Sequence, residues 1–483
     1  MQSYICVSQI TFNRTYDALG SETIFNILPS NNGYKMVMNV NQTPDKFQFC
    51  SLNSLGDTIT TKLYETPNKN TILFGLLQTK DSSFVTGCFY EDLLLNVRSL
   101  FLVKFDELGD TLWSKVISAT PGYEFFGRYF IETSDGGFLF TGAYVDVGWL
   151  NSEVFILKTD SLGNLEWMNN FGGPMYDDAF SSIETTDKGF LTLGLTRSFG
   201  FGNSSNRDDL LVKWDSLGNY QWHKTFGSSD EEIGVGITKC FDGNYILGSG
   251  KHVNSNFAQG KIIKIDVDGN IIWQKLFGNR SDSFWWVREK SNFDLVAIGS
   301  EKNINNKDDG FIVCTDSAGN EKWQRNYRFG SEHCYFRDIK ETLDGGIICA
   351  GFVFDGASGG QDGWLVKLDS TGCLSTGNCG EPTGIFETPT SSQFHMSISP
   401  NPVSTQAMIK IDGLTPRLLN EPYLLQVYNL QGQLVQSPKI GFLVSDTWIQ
   451  CVWKPYGLIK GIYMIAVTTY DGERLGTVKV IVD

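Results

Sequence analysis

Imidazole is scarce in this chain of 483 residues, which holds four histidines. A zinc centre needs several His, Cys or carboxylate ligands converging on one point. His223 falls on a repeated strand, His252 and His333 on loops and His395 in the C-terminal tail, so their spacing assembles no metal site. No Gly-rich phosphate loop precedes a helix, and no nucleophile elbow occurs. Carboxylates are more regular. Asp177, Asp178, Asp230 and Asp282 precede one class of strand, and Asp208, Asp209, Asp308, Asp309 and Asp362 precede another. Calcium takes oxygen ligands of this kind, which keeps it open as a cofactor. Acids recurring at equivalent strand starts are instead expected to accept bonds from backbone amides. No catalytic residue, metal or cofactor is therefore assigned. The candidate ligand-binding residues are aromatics on or beside irregular loops: Trp149, Phe199, Phe201, Trp285, Trp286 and Phe354. Rigid aromatic faces left at a surface anchor sugars or peptides. Trp285 and Trp286 open an inner strand, so one of the pair is expected to pack between sheets.

The elements that must carry these residues are set by two repeated turns. The first is Asp160-Ser161-Leu162-Gly163-Asn164 followed by Trp167, with relatives that begin at 53, 106, 215, 266, 316 and 369, a spacing of 50 to 55 residues. The second, out of phase, is Ser134-Asp135-Gly136-Gly137-Phe138, matched at Thr186–Phe190, Phe241–Tyr245 and Leu343–Ile347, and more loosely at Asn31–Tyr34, Asp81–Phe84 and Lys290–Phe293. Asp, Ser, Asn and Gly supply local bonds and positive φ between alternating runs, so each marker is a hairpin turn. Two hairpins per repeat give four strands. Seven four-stranded units, each too small to bury both faces alone, predict a seven-bladed β-propeller over residues 1–380. The last unit lacks its outer strand, and Ser8-Gln9-Ile10-Thr11-Phe12 resembles that strand, so the N-terminus is expected to close the ring and remove exposed edges.

With strands a to d running outward, the two regular turns share one face. The b–c loops at Tyr144–Ser152, Arg197–Arg207, Lys251–Gln259, Glu301–Lys307 and Phe354–Gln361 share no pattern and lie on the other. Varied loops on a rigid scaffold are where binding concentrates.

Composition excludes several classes of partner. The net charge of −15 comes with no basic stripe, which rules against nucleic acid. No apolar run approaches a transmembrane segment. Met1-Gln2-Ser3-Tyr4 has neither a basic nor an apolar leader region, so a removed signal peptide and an added start methionine are expected. Cys50, Cys88, Cys240, Cys314 and Cys349 fall within strands as small buried hydrophobes. One disulfide is expected among Cys6, Cys373 and Cys379.

Residues 381–393, rich in Pro, Thr and Ser, read as a linker. Residues 394–483 form an independent β unit. Ser399-Pro400-Asn401-Pro402, the Leu425–Val435 stretch with Tyr428 and Gly432, Gly461-Ile462-Tyr463, and Lys479-Val480-Ile481-Val482 resemble, in order and position, the type A C-terminal sorting domain of the Bacteroidetes type IX secretion system. That resemblance implies an Ig-like sandwich recognised by the export machinery, removal by a surface sortase, and a secreted or cell-surface destination. The Asp-Ser-Leu turns also resemble a short Bacteroidetes O-glycosylation sequon, which would make Ser161, Ser216 and Ser317 acceptors; Ser370 fits it less well. The function expected is a non-enzymatic module binding a glycan or protein through the irregular face. The alternatives are an enzyme acting on polysaccharide, which a carboxylate cluster or a His/Tyr pair in the funnel would favour, and a structural component of a surface complex.

Overall fold

The computed structural model describes residues 10–382 and 395–483, apart from 17–20, 42–44, 66–68, 93–96, 149–150, 202–205, 255–256, 279–283, 304, 355–359, 375–380, 413–422, 429–433, 439, 446 and 470–473. The chain divides into two compact units, Met1–Thr383 and Gly384–Asp483. No helix occurs among the described residues, and none is long and apolar enough to cross a membrane.

In the first unit the strands pair as antiparallel sheets in a blade pattern. The third sheet runs Tyr123–Glu132, Phe138–Asp146, Ser152–Thr159, Leu165–Phe171. The fourth runs Asp177–Glu184, Phe190–Thr196, Asp208–Trp214, Tyr220–Phe226. The same order recurs from Ser21 in the first sheet, Lys69 in the second, Glu231 in the fifth, Trp286 in the sixth and Cys334 in the seventh. In each, the first strand packs on the neighbouring sheet and the fourth is the more exposed, as in the first and third sheets. The middle strands are buried on both faces, as in Phe190–Thr196 and Asp208–Trp214, so they read as apolar runs rather than alternations.

The Asp-x-x-Gly-Asn turn has a double role. Asp160 Oδ1 accepts from the amides of Leu162 at 2.9 Å and Asn164 at 2.8 Å, and Gly163 takes φ +76°. This glycine also lets a tryptophan of the preceding sheet lie flat on the turn: a Cβ there would come within 3.0 Å of the Trp113 ring. Lys115, two residues on, donates to Asn164 Oδ1 at 3.0 Å. The latch recurs with Trp167 on Gly218, Trp222 and Lys224 on Gly269 and Asn270, Trp273 and Lys275 on Gly319 and Asn320, and Trp323 on Gly372. Lys62 reaches Asp110 beside Gly109 from the first sheet to the second.

The N-terminal strand differs in position from the expectation. Phe12–Tyr16 pairs with Gln361–Leu368 at the edge of the seventh sheet and overlaps the expected Ser8–Phe12 stretch at Phe12, while Ser8 and Gln9 lie outside the described residues. That register lays Phe12 over Gly56 and brings Arg14 to Asp57, a Phe/Arg version of the Trp/Lys latch. It also gives the buried Trp364 indole N–H an acceptor, Asn13 Oδ1, at 2.6 Å. One further pairing touches the start of the expected linker. Glu381–Pro382 pairs with Arg325 and Asn326 on the outer strand of the sixth sheet, because that edge offers unpaired backbone groups.

Cys50, Cys88, Cys240, Cys314 and Cys349 are free and buried. Cys373 is disulfide-bonded, to a partner outside the described residues.

The second unit has two four-stranded antiparallel sheets, His395–Ser399, Ala407–Asp412, Trp448–Trp453, Leu443–Val444 and Leu434–Gln436, Tyr423–Tyr428, Gly461–Thr469, Arg474–Val482. Both contribute to one core that includes Ile409, Ile449, Trp453, Val427, Ile465 and Val480.

Candidate functional site

The side chains facing the inner edges are aimed by a repeated irregularity. The first strand slips register between Ile24 and Asn26, Leu73 and Gly75, Gly127 and Tyr129, Ala179 and Ser181, and Phe336 and Asp338. Each β-bulge extrudes one residue from the ladder: Phe25, Phe74, Arg128, Phe180 and Arg337. The bulge presses a carbonyl onto the second strand, where glycine makes room. A Cβ on Gly142, Gly194 or Gly351 would sit 1.9, 1.9 and 1.8 Å from the oxygens of Phe126, Asp178 and Tyr335.

The residue after the bulge joins neighbouring sheets. Asn26 Oδ1 accepts from Leu76 N at 2.7 Å, Ser181 Oγ from Ile237 N at 3.1 Å, and Asp338 Oδ2 from Ile27 N at 3.2 Å and Asn26 Nδ2 at 2.7 Å. Lys340 compensates the buried Asp338 carboxylate at 2.5 Å. In the third and sixth sheets that position holds Tyr129 and Trp286, whose rings meet at 4.9 Å. Trp286 is buried in this contact, with Arg288 4.5 Å from its ring centroid, which removes it from the accessible candidates.

Trp285 and Phe354 are brought into one patch between the sixth and seventh sheets. The Arg337 guanidinium lies 3.9 Å from the centroid of the Trp285 ring and 5.5 Å from that of Phe352. Tyr335 stacks on Phe352 at 5.1 Å, and Phe354 stands edge-on to Phe352 at 5.8 Å and to His333 at 6.1 Å. Asp308, at the start of a third strand, anchors the polar end. Its Oδ2 accepts from Tyr335 Oη at 2.5 Å and lies 2.7 Å from His333 Nδ1, which is also 3.1 Å from the Asp308 amide. The imidazole can thus donate to the carboxylate or accept from the amide according to its tautomer. Burial pushes the Arg337 guanidinium down to about 10.

The remaining aromatics lie elsewhere. Phe199 stacks on Phe171 at 5.1 Å and tilts against His223 at 4.7 Å, away from the patch. Phe201 is 67% exposed, and Trp149 lies outside the described residues. Sequence reasoning missed Arg337, Tyr335 and His333 as members of this cluster, because Asp308, which meets His333, lies 25 positions away in sequence.

The strand-start acids are corrected in part. Asp177 Oδ2 accepts from the Gly173 amide at 2.8 Å, as expected, but Asp178 receives Arg128 at 2.9 Å, and Asp209 receives Ser249 at 2.7 Å and Lys261 at 3.0 Å. Burial raises Asp209 above its ordinary range despite Lys261. Among the described residues no group of three or more His, Cys, Asp or Glu side chains could hold a metal ion. Ser161, Ser216 and Ser317 are exposed on their turns.

In the tail, Asn401 Oδ1 accepts from the Ile481 amide at 2.8 Å, and Val403 N donates to Ile481 O at 2.7 Å. The Pro400-Asn401-Pro402 segment is thereby fastened to the closing strand that contains Lys479. Tyr428 pairs with Met464, Gly461 pairs with Val482, and Tyr463 Oη donates to Ile459 O at 2.9 Å. Gly432 lies outside the described residues.

Among the solved structures that resemble the chain are three of low identity. They are polysaccharide lyase Uly1 (11% identity, 77% of this chain and 94% of that one, TM-score 0.45), the β-propeller domain of the Trilobed protease from Pyrococcus furiosus (9%, 74% and 94%, 0.40) and the WD40 domain of SCAP from fission yeast (9%, 92% and 94%, 0.39). No curated protein matches the chain. Residues 397–483 match the model of the secretion system C-terminal sorting domain. The tail is therefore a type IX secretion sorting domain that engages that export machinery, and the β-propeller chain it ends is secreted or displayed at the outer cell surface.

Proposed function

We propose that this protein is a binding module exported by Bacteroidetes, whose ligand, a glycan or protein, sits on the irregular-loop face of a closed seven-bladed propeller spanning residues 1–380. Residues 381–393 would act as the linker, and residues 394–483 as an Ig-like sandwich removed by a surface sortase after export. Closure is supported by the latch, which recurs from Phe12 and Arg14 on the turn of the first sheet to Trp323 on the turn of the seventh. The Tyr129–Trp286 contact between sheets three places apart adds to this, since such strands meet only across a common centre.

The observation that carries the binding reading is the aromatic cluster in which Trp285 and Phe352 lie against the Arg337 guanidinium and Tyr335 and Phe354 pack on Phe352. Trp149, Phe199 and Phe201 would extend the contact along neighbouring loops. A glycan array and a pull-down of defined surface polymers, using the whole chain, test the reading. Specific binding weakened by Trp285→Ala and Phe354→Ala supports it; binding indifferent to both overturns the site.

The Asp308–His333–Tyr335 cluster favours a second reading, an enzyme acting on polysaccharide, because a His/Tyr pair held by a carboxylate can move protons. Release of oligosaccharides by the native chain, abolished in His333→Ala and Tyr335→Phe, would replace the binding reading with this one.

A further inference from the structure

Arg128 and Arg337 occupy the same bulged position in the third and seventh sheets but are treated differently. Arg128 reaches forward to Asp178 of the next sheet through Nε at 3.2 Å and Nη2 at 2.9 Å. Asp178 stands three residues before the post-bulge Ser181. Three residues before the post-bulge Asn26, the equivalent place beside the seventh sheet, is Thr23, whose hydroxyl is given to Gln361. Arg337 therefore has no carboxylate ahead of it, and it lies back over Trp285 instead. Among the described residues it forms no ion pair, and its buried Nε has no hydrogen-bond partner.

An enclosed guanidinium with unused donors is costly unless something fills them. Among the described residues no carboxylate does so, although the chain has 54 acidic residues. The fork lies against two aromatic rings, Trp285 and Phe352, which restricts its orientation in advance. A planar group with two acceptor oxygens matches that fork, and the half-buried rings of Trp285, Tyr335 and Phe354 beside it suit the C–H face of a sugar ring.

We propose that Arg337 is a carboxylate-recognition residue, and that the ligand of this face is an acidic glycan bound through a uronate carboxylate. This rests on the binding reading above and names the ligand class for it. The guanidinium donates two parallel hydrogen bonds to the carboxylate while Trp285 and Phe352 keep water from competing.

The test measures binding of polygalacturonate, its fully methyl-esterified form and dextran sulfate to the whole chain, with Arg337→Lys, Arg337→Met and Trp285→Ala beside it. Polygalacturonate should bind, esterification should abolish binding, and salt should weaken it. Arg337→Lys, which keeps charge and loses the fork, should weaken it about tenfold or more. Arg337→Met should bind no acidic glycan, yet its unfolding midpoint should not fall, since it removes an uncompensated charge; a lower midpoint would make Arg337 a packing residue and overturn the proposal. Equal binding of the neutral ester, a preference for dextran sulfate over polygalacturonate, or an acidic peptide as the sole ligand would also overturn it. Glycan binding lost in Trp285→Ala but kept in Arg337→Met sinks this inference and leaves the binding reading standing. Binding of no glycan and no protein sinks both.

Discussion

Tyr129 and Trp286 stand on the first strands of the third and sixth sheets, yet their rings meet at 4.9 Å between centroids with a 47° tilt. The contact couples two sheets that share no hydrogen-bonded edge. Tyr129→Ala and Trp286→Ala should each destabilise the first unit, and the double variant should lose less than the sum. The expected coupling is about 1 kcal/mol, measured by urea unfolding in a double-mutant cycle.

Asp338 is buried and serves Asn26, Ile27 and Lys340 at once. Asp338→Ala leaves two donors and a cation without their acceptor and should cost about 3 kcal/mol or more. Asp338→Asn keeps one acceptor oxygen and should cost less. Equal losses in chemical denaturation would show that the seam between the seventh and first sheets does not depend on this carboxylate.

Glycine-to-alanine exchange in an extended strand usually gains stability, by about 0.4–1 kcal/mol through the unfolded state. At Gly351 the sign should reverse, because the new methyl would stand 1.8 Å from the Tyr335 carbonyl oxygen. The bulge that extrudes Arg337 would have to flatten. Differential scanning calorimetry of Gly351→Ala should show a clearly lower midpoint, and ligand binding should fall with it.

Acid should weaken the regular turns first. Burial pushes Asp187 up, but the Thr185 hydroxyl, Lys213 and the Gly189 amide outweigh it and hold the carboxyl at about 2. Asp135 is held at about 2 in the same way, by Thr133, the Gly137 amide and Lys158. A depressed folded value means stability that is complete above the ordinary 3.8 and lost as pH falls towards 2. Thermal midpoints should therefore decline across that window, and Asp187→Asn should flatten the decline.

Removing residues 397–483 should leave the propeller unexported, with the protein retained inside the outer membrane rather than at the surface or in the medium. Cell fractionation with immunodetection reads this directly. Asn401→Ala, which takes the acceptor from the Ile481 amide, should lower export less than the full deletion.

Much of the scaffold was readable because its turns are local. Asp160 bonds residues two and four positions on, so the sequence carries the whole device within five residues. The tail was legible for the same reason, since each of its motifs is a short run of neighbouring residues. The patch was not. Asp308 and His333 are 25 positions apart, and Arg337 stands out only through a bulge that leaves no trace in its own neighbours. Its one readable sign was the glycine recurring on second strands, at Gly142, Gly194 and Gly351, which marks where a carbonyl presses in. Trp285 and Trp286 were indistinguishable as a pair until the register divided them.

The pairing of Asn13 with Trp364 spans 351 positions of sequence. Contacts of such separation slow folding, because a long chain must be closed before they form. The seventh sheet stays one strand short until both ends of the unit are present together. A nascent or threaded chain would thus keep its first and seventh sheets unlatched until late, a state more easily held open for transport than the completed unit. The same seam makes completion of the seventh sheet depend on both ends of the unit, so truncation at either end should leave that sheet one strand short.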